Sequence, residues 1–288
     1  MYLALSVLSS TLIYMVFKTF RSFNINVLNA LIVNYITAAI FGYTLQSTSV
    51  DLASLPSFNW FVPAACLGVF FICIFYLMAM TTEKHGMSVV SVASKMSLSI
   101  PVIFVIFYYS EVVTALKIIG ILLALVSVYL VSSGEGDGLK FNFKTLLLPF
   151  GVFLGSGIIE TSIKILQQDF VPSEETPVFS ASIFLFAALT GCVIFIIRLI
   201  RKRVFIRVKD ILAGIALGIP NYFSIYFLIE ALRNPNLDSS IVFVINNVSI
   251  VLLSTLVGVL LFKEYLVRKN KIGIIIAVIS IILVALSN

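Results

Sequence analysis

The segments EVVTALKIIGILLALVS, residues 111–127, and EYLVRKNKIGIIIAVIS, residues 264–280, carry the same pattern 153 positions apart. In each segment a glutamate is followed, after eight residues, by Gly-x-x-x-Ala and then by a serine. A second match joins Ser10–Ile13 to Ser156–Ile159, 146 positions apart. These matches predict that the chain consists of two similar halves.

The composition excludes an ordinary soluble protein. Apolar residues make up 60% of the 288 residues and charged residues only 11%, whereas soluble domains are about half apolar and about one quarter charged. A chain of this length has room for about ten apolar spans of about 20 residues with short connections. The net charge of +6 comes from short basic clusters between the apolar runs, so membrane topology explains it without a nucleic-acid partner.

The apolar runs predict ten transmembrane helices, and each half of the chain contains five. The predicted spans are 2–20, 25–46, 59–81, 86–109, 112–133, 144–166, 177–200, 208–232, 237–262 and 270–287. Because five is odd, the second half enters the membrane in the opposite sense. The predicted fold is an all-α integral membrane domain of two inverted repeats, residues 1–133 and 144–288, with a linker at 134–143.

The basic residues are distributed unevenly among the connections between these spans. Counted from the N-terminus, the odd-numbered connections carry fifteen lysines and arginines and the even-numbered ones carry three. Cytoplasmic connections are enriched in lysine and arginine, so this bias predicts that the odd connections are cytoplasmic. Both termini are then expected to be non-cytoplasmic, in a multi-pass protein of a bacterial inner (plasma) membrane.

Several positions in this pattern resemble the drug/metabolite transporter superfamily, in its EamA-like branch. The most legible ones are Ala79–Thr82, Gly86–Ser91, Pro101, Glu111, Gly120, Glu264 and Gly273. The resemblance covers nearly the whole chain. It implies two five-helix repeats around a central cavity, and a secondary transporter that exports a small metabolite.

Seven polar side chains within the predicted spans are candidates for a solute site. They are Lys95, Glu160, Asn34, Asn246, Asn247, Asn221 and Tyr14. Ionisable groups inside a membrane cost free energy unless they are paired or hydrated, so each one is a candidate for a transport pathway. Lys95 lies nine residues after Gly86, which places it about 14 Å along its helix and near the middle of a core about 30 Å thick.

Two interpretations of these residues remain open. In a solute site, Lys95 binds a carboxylate or phosphate, the asparagines orient the solute, and Glu160 binds an amine or a coupling proton. In a structural role, Lys95 and Glu160 form a closed ion pair and the asparagines join neighbouring helices. Asn221, next to Pro220, suits either a solute contact or a hinge. Tyr14 suits either a cavity or simple packing.

The sequence argues against an enzyme and against a cofactor or metal. His85 is the only histidine, and neither a His-Glu-x-x-His pattern nor a glycine-rich loop with Gly-Lys-Ser/Thr occurs. The repeated glutamates, Glu111 and Glu264, are each expected to cap the helix that follows.

The sequence therefore predicts a secondary transporter that works by alternating access. The resemblance implies that it exports a small polar, zwitterionic or anionic metabolite, such as an amino acid. The expected partners are that solute, the lipid bilayer and, as a further candidate, a coupling proton. The oligomeric state is open. The alternative is a non-transporting membrane scaffold, or a subunit that binds a partner or lipid.

Overall fold

The computed structural model describes residues 1–45, 52–85, 87–132, 143–202, 205–263 and 265–287. The regular secondary structure of these residues is entirely helical, which confirms the all-α class. The α-helices are α1 (Tyr2–Ser22), α2 (Val27–Thr44), α3 (Phe61–His85), α4 (Met87–Met96), α5 (Ser99–Tyr108), α6 (Ala115–Ser132), α7 (Phe143–Asp169), α8 (Thr176–Lys202), α9 (Val208–Leu232), α10 (Ser239–Phe262) and α11 (Arg268–Ala285). Short 3-10 helices cover Leu52–Ser57 and Ser173–Glu175.

Seven segments within the described part of the chain are long and apolar enough to cross a membrane. They are Tyr2–Phe20, Val27–Thr44, Phe61–Met78, Leu147–Asp169, Ser173–Arg201, Val208–Leu232 and Ser239–Phe262. Two shorter apolar stretches, Ala93–Tyr108 and Ala115–Val131, coincide with the fourth and fifth predicted spans. These lengths fit a multi-pass membrane protein.

The fourth predicted span is two helices rather than one. Helix α4 ends at Met96 and α5 begins at Ser99. The break lies one turn before Pro101, which has no N–H and whose ring crowds the carbonyl of residue 97. The Ser97 carbonyl accepts instead from the N–H of Ile100, at 2.9 Å.

The chain divides into two compact units, and both halves of the sequence contribute to each of them. Unit 1 comprises Met1–Tyr76 and Ile165–Glu230, and unit 2 comprises Leu77–Lys164 and Ala231–Asn288. In unit 1, α2 packs along α8, and in unit 2, α6 packs along α11. Helices α10, α5 and α4 complete the packing around α6 in unit 2, through the pairs α10·α6, α10·α5, α10·α11 and α4·α6.

Glycines make the closest helix contacts, and these contacts are reciprocal. In unit 2, a Cβ on Gly120 would lie 2.5 Å from Val284 Cγ2, and one on Gly273 would lie 2.8 Å from Val131 Cγ2. Gly120 and Gly273 are 153 positions apart, and so are Val131 and Val284. The N-terminal half of each of these helices therefore faces the C-terminal half of the other, so α6 and α11 are antiparallel.

Unit 1 contains the same kind of exchange. A Cβ on Gly68 would meet Ile183 O at 2.6 Å and Phe186 Cβ at 2.6 Å, and one on Gly218 would meet Asn34 O at 2.8 Å and Thr37 Cβ at 2.6 Å. The glycines are 150 positions apart, and their partners are 149 positions apart. Gly42 and Gly191 form another such pair of contacts. A Cβ on Gly42 would meet Ala181, and a Cβ on Gly191 would meet Ile32.

In the described part of the chain, the hydrogen bonds between connections join two odd-numbered or two even-numbered connections, counted from the N-terminus. In unit 1, Arg207 donates to Asn24 O at 2.9 Å, between the seventh and first connections. At the second and sixth connections, Trp60 Nε1 donates to Glu175 at 2.5 Å. In unit 2, Ser239 N donates to Glu111 at 2.7 Å, where the eighth connection meets the fourth connection. Close to the ninth and fifth connections, Asn270 of α11 donates to Val131 O of α6 at 2.9 Å.

Candidate functional site

The candidate site in unit 2 forms where α4 packs against α7. Val90 and Ala93 of α4 form a buried apolar cluster with Val152 of α7. The Ser156 hydroxyl reaches the Ser94 hydroxyl at 3.5 Å one turn further along α7. This packing holds Lys95 and Glu160, which follow on the two helices, within hydrogen-bond distance of Asn247 of α10.

Asn247 of α10 bridges these two charged side chains. Lys95 Nζ donates to Asn247 Oδ1 at 3.2 Å, and Asn247 Nδ2 donates to the two Glu160 oxygens at 3.3 and 3.4 Å. Asn247 Nδ2 also donates to Phe243 O at 3.2 Å. The amide is therefore oriented, with its oxygen toward the cation and its nitrogen toward the carboxylate.

The cluster is withdrawn from the surface of unit 2, but it is not sealed. Lys95 is 9% exposed and Asn247 is 1% exposed, whereas Glu160 is half-buried. Neighbouring Asn246 is 4% exposed, and its Oδ1 has no hydrogen-bond partner among the described residues. A buried acceptor without a partner is costly unless water or a ligand supplies a donor.

The break between α4 and α5 places irregular backbone immediately after Lys95. Hydroxyl groups compensate for the lost helical hydrogen bonds, because Ser97 Oγ donates to Ser94 O at 2.6 Å and Ser99 Oγ donates to Met96 O at 3.1 Å. Interrupted helices within a membrane are tolerated where the backbone is buried in protein or lines a cavity, and they are common at transporter binding sites.

A second polar contact lies in unit 1. Asn221 Nδ2 of α9 donates to Asn34 Oδ1 of α2 at 3.1 Å, and Asn34 Nδ2 is a buried donor without a partner in the described structure. Gly214 and Gly218 let α9 approach the α2 backbone closely enough for this bond. The side chain of Tyr14 lies half-buried on α1.

Six of the seven predicted residues thus fall into two groups. The structure brings Lys95, Glu160 and Asn247 together, with Asn246 beside them on α10, in unit 2. In unit 1 it joins Asn34 to Asn221. The serines around the α4 break were not predicted, although Ser94, Ser97 and Ser99 ahead of Pro101 are a visible signal for an interrupted helix.

The expectation that Glu111 caps the helix after it is wrong. Its carboxylate accepts from the first turn of α10, more than a hundred residues later in the chain. An N-cap rule considers only neighbours in sequence, and tertiary packing brought a different helix end to this carboxylate. Glu264 and the predicted linker, apart from Phe143 at the start of α7, lie outside the described residues.

Comparison with known proteins adds the following. No protein-family model matches the chain. A Haemophilus influenzae protein described as uncharacterized is 29% identical over 286 residues, covering 97% of this chain and 95% of the relative. A protein of known crystal structure has a TM-score of 0.76 with 14% identity, covering 99% of this chain and 96% of that one. That likeness concerns the fold alone.

Proposed function

We propose that this protein is a secondary transporter, working by alternating access, that exports a small polar, zwitterionic or anionic metabolite such as an amino acid. The cluster of Lys95, Asn247 and Glu160 carries the proposal, because it offers a cation and a carboxylate joined by one amide. A solute with a carboxylate or phosphate would bind Lys95. An amine of the solute, or a coupling proton, would bind Glu160.

Incomplete pairing favours a solute site over a purely structural one. Asn246 Oδ1 and Asn34 Nδ2 are buried polar atoms that find no partner in the described part of the chain. A scaffold has no reason to retain them, because a buried polar group without a partner lowers stability. In a transporter, water or solute supplies the missing partner.

We also propose that the chain is built from two inverted five-helix repeats, as in the EamA-like branch of the drug/metabolite transporter superfamily. The reciprocal glycine contacts support this, since a two-fold operation that exchanges two antiparallel helices produces them. The offset between equivalent residues increases along the chain, from 146 in the first helix through 149 and 150 to 153 in the last. Short differences in loop length account for such a gradual change.

The topology is testable by cysteine labelling. Within each unit, the hydrogen bonds join connections of the same parity, as ten crossings require, and the basic residues of the odd connections favour a cytoplasmic location for them. In intact cells of a cysteine-free variant, Pro235→Cys is expected to react with a membrane-impermeant thiol reagent and Arg201→Cys to react only after lysis. External labelling of Arg201→Cys would refute the orientation.

Transport itself is testable by comparing metabolites in cells with and without this protein. Untargeted profiling of cells and medium is expected to show one small charged or zwitterionic metabolite that moves into the medium only when the protein is present. Flux of that compound into proteoliposomes then excludes an indirect effect. Unchanged profiles under varied nutrient conditions, with the protein correctly inserted, would favour the scaffold instead.

A further inference from the structure

The first turn of α10 is capped by a residue from elsewhere in unit 2. Glu111 Oε1 accepts from the N–H of Ser239 at 2.7 Å, and Glu111 Oε2 accepts from the N–H of Ser240 at 3.2 Å. The Ser240 hydroxyl also donates to Glu111 Oε2, at 2.5 Å. Asp238 occupies the N-cap position itself, but its side chain makes no capping bond.

Lys117 accounts for this arrangement. Its side chain is 0% exposed, and its Nζ lies 2.5 Å from Asp238 Oδ2 and 3.8 Å from Glu111 Oε2. The ammonium group thus engages the Asp238 carboxylate, which would otherwise be placed to cap its own helix. It also offsets the charge of Glu111, which is 9% exposed.

The origin of the cap has a mechanical consequence. A cap from Asp238 would satisfy the same amides but would move with α10, because it belongs to that helix. A cap from Glu111, just before α6, fixes the axial position of α10 relative to the start of α6. Helix α10 also packs against α5, α6 and α11, and the cap adds directional hydrogen bonds at its first turn.

Asn247 lies on the same helix, seven residues after Ser240, which is about 10 Å along a rigid rod. Its bonds to Lys95 and Glu160 are 3.2 to 3.4 Å long, so an axial shift of about 1 Å would break them.

We propose that Glu111 is a positioning residue for the polar site: by capping α10 from another helix, it holds Asn247 between Lys95 and Glu160. The proposal deepens the proposed function, because Asn247 belongs to the proposed solute site. It concerns the resting geometry of that site, however, and can be tested without measuring flux.

The test compares Glu111→Gln with Asp238→Asn in the full-length protein in lipid nanodiscs. Both changes remove one negative charge beside Lys117, but only Glu111→Gln replaces one of the two oxygens that accept from the first turn of α10 with an NH2 donor. The side-chain amide signal of Asn247 is followed by NMR in protein labelled with ¹⁵N-asparagine, and is assigned by its loss in Asn247→Leu. Hydrogen exchange of the first-turn amides of α10 is measured in parallel.

Glu111→Gln is expected to shift the Asn247 signal and to speed exchange of the Ser239 and Ser240 amides about tenfold, as loss of a cap does. Asp238→Asn is expected to leave both near wild type. An unmoved Asn247 signal in folded Glu111→Gln, or equal shifts in both variants, would overturn the proposal. If Glu111→Gln does not fold, Ser240→Ala removes only the hydroxyl bond to Glu111 and should shift the Asn247 signal in the same direction. A protein without transport activity could still give the expected result, so the two proposals fail separately.

Discussion

Replacing Lys95 by Met is expected to abolish solute flux while leaving a folded protein inserted in the membrane. The change removes the cation that a carboxylate or phosphate would bind. It leaves the two bonds from Asn247 to Glu160, which continue to join α10 to α7. Thermal unfolding and proteoliposome flux of the exported metabolite, measured on the same preparations, check both parts of the prediction.

Lys117→Met is the matched control, since Lys117 is also a buried lysine of unit 2 but belongs to the α10 cap. Removing Lys117 leaves the buried Glu111 carboxylate without its cation, and removing one partner of such a buried pair costs about 3–5 kcal/mol, so this variant should be the less stable of the two. If Lys95 were only structural, Lys95→Met would be destabilised comparably and rescued by adding Glu160→Gln. If Lys95 binds solute, that second change should not restore flux. Normal flux in folded Lys95→Met would exclude Lys95 from the site.

Gly68→Ala and Gly218→Ala are each expected to lower stability by about 1–3 kcal/mol, the usual cost of overpacking. The new methyl groups would meet backbone carbonyls, Ile183 O at 2.6 Å and Asn34 O at 2.8 Å, and backbone cannot move aside without separating the helices. Because Gly68 and Gly218 occupy matching positions 150 residues apart, the two variants should lose similar amounts of stability. Denaturation in detergent micelles measures both.

Gly151→Ala provides the control for these variants in unit 2. A Cβ there would meet only the Leu77 side chain, with its Cδ2 at 2.8 Å, and a flexible side-chain end can rotate away. This variant should therefore be close to wild type in stability. A loss as large as that of Gly68→Ala would contradict the argument, since the identity of the opposing atoms would then not matter.

Much of the candidate site was accessible from the sequence, because burying charge in a membrane is costly and a lysine in an apolar run is conspicuous. That cost points to Lys95 and Glu160, and Asn247 is a candidate because it is a polar side chain at the same depth. Their geometry was not predictable. Both a direct ion pair and a solvated site suited the sequence, and nothing in the sequence indicated that the Asn247 amide bonds to both charged groups. Side-chain depth follows from position along a helix, but side-chain partners depend on how helices pack.

By itself, the sequence determined the helical class, the apolar spans, the charge bias and the offset between the halves, because each is a property of local composition or of spacing along the chain. Only the tertiary structure decided that unit 1 and unit 2 each draw on both halves and that Glu111 caps α10. These features arise from contacts between residues more than a hundred positions apart. No local pattern encodes such contacts, since the choice of partner depends on the close approach that glycines allow and on which buried polar atoms must be satisfied.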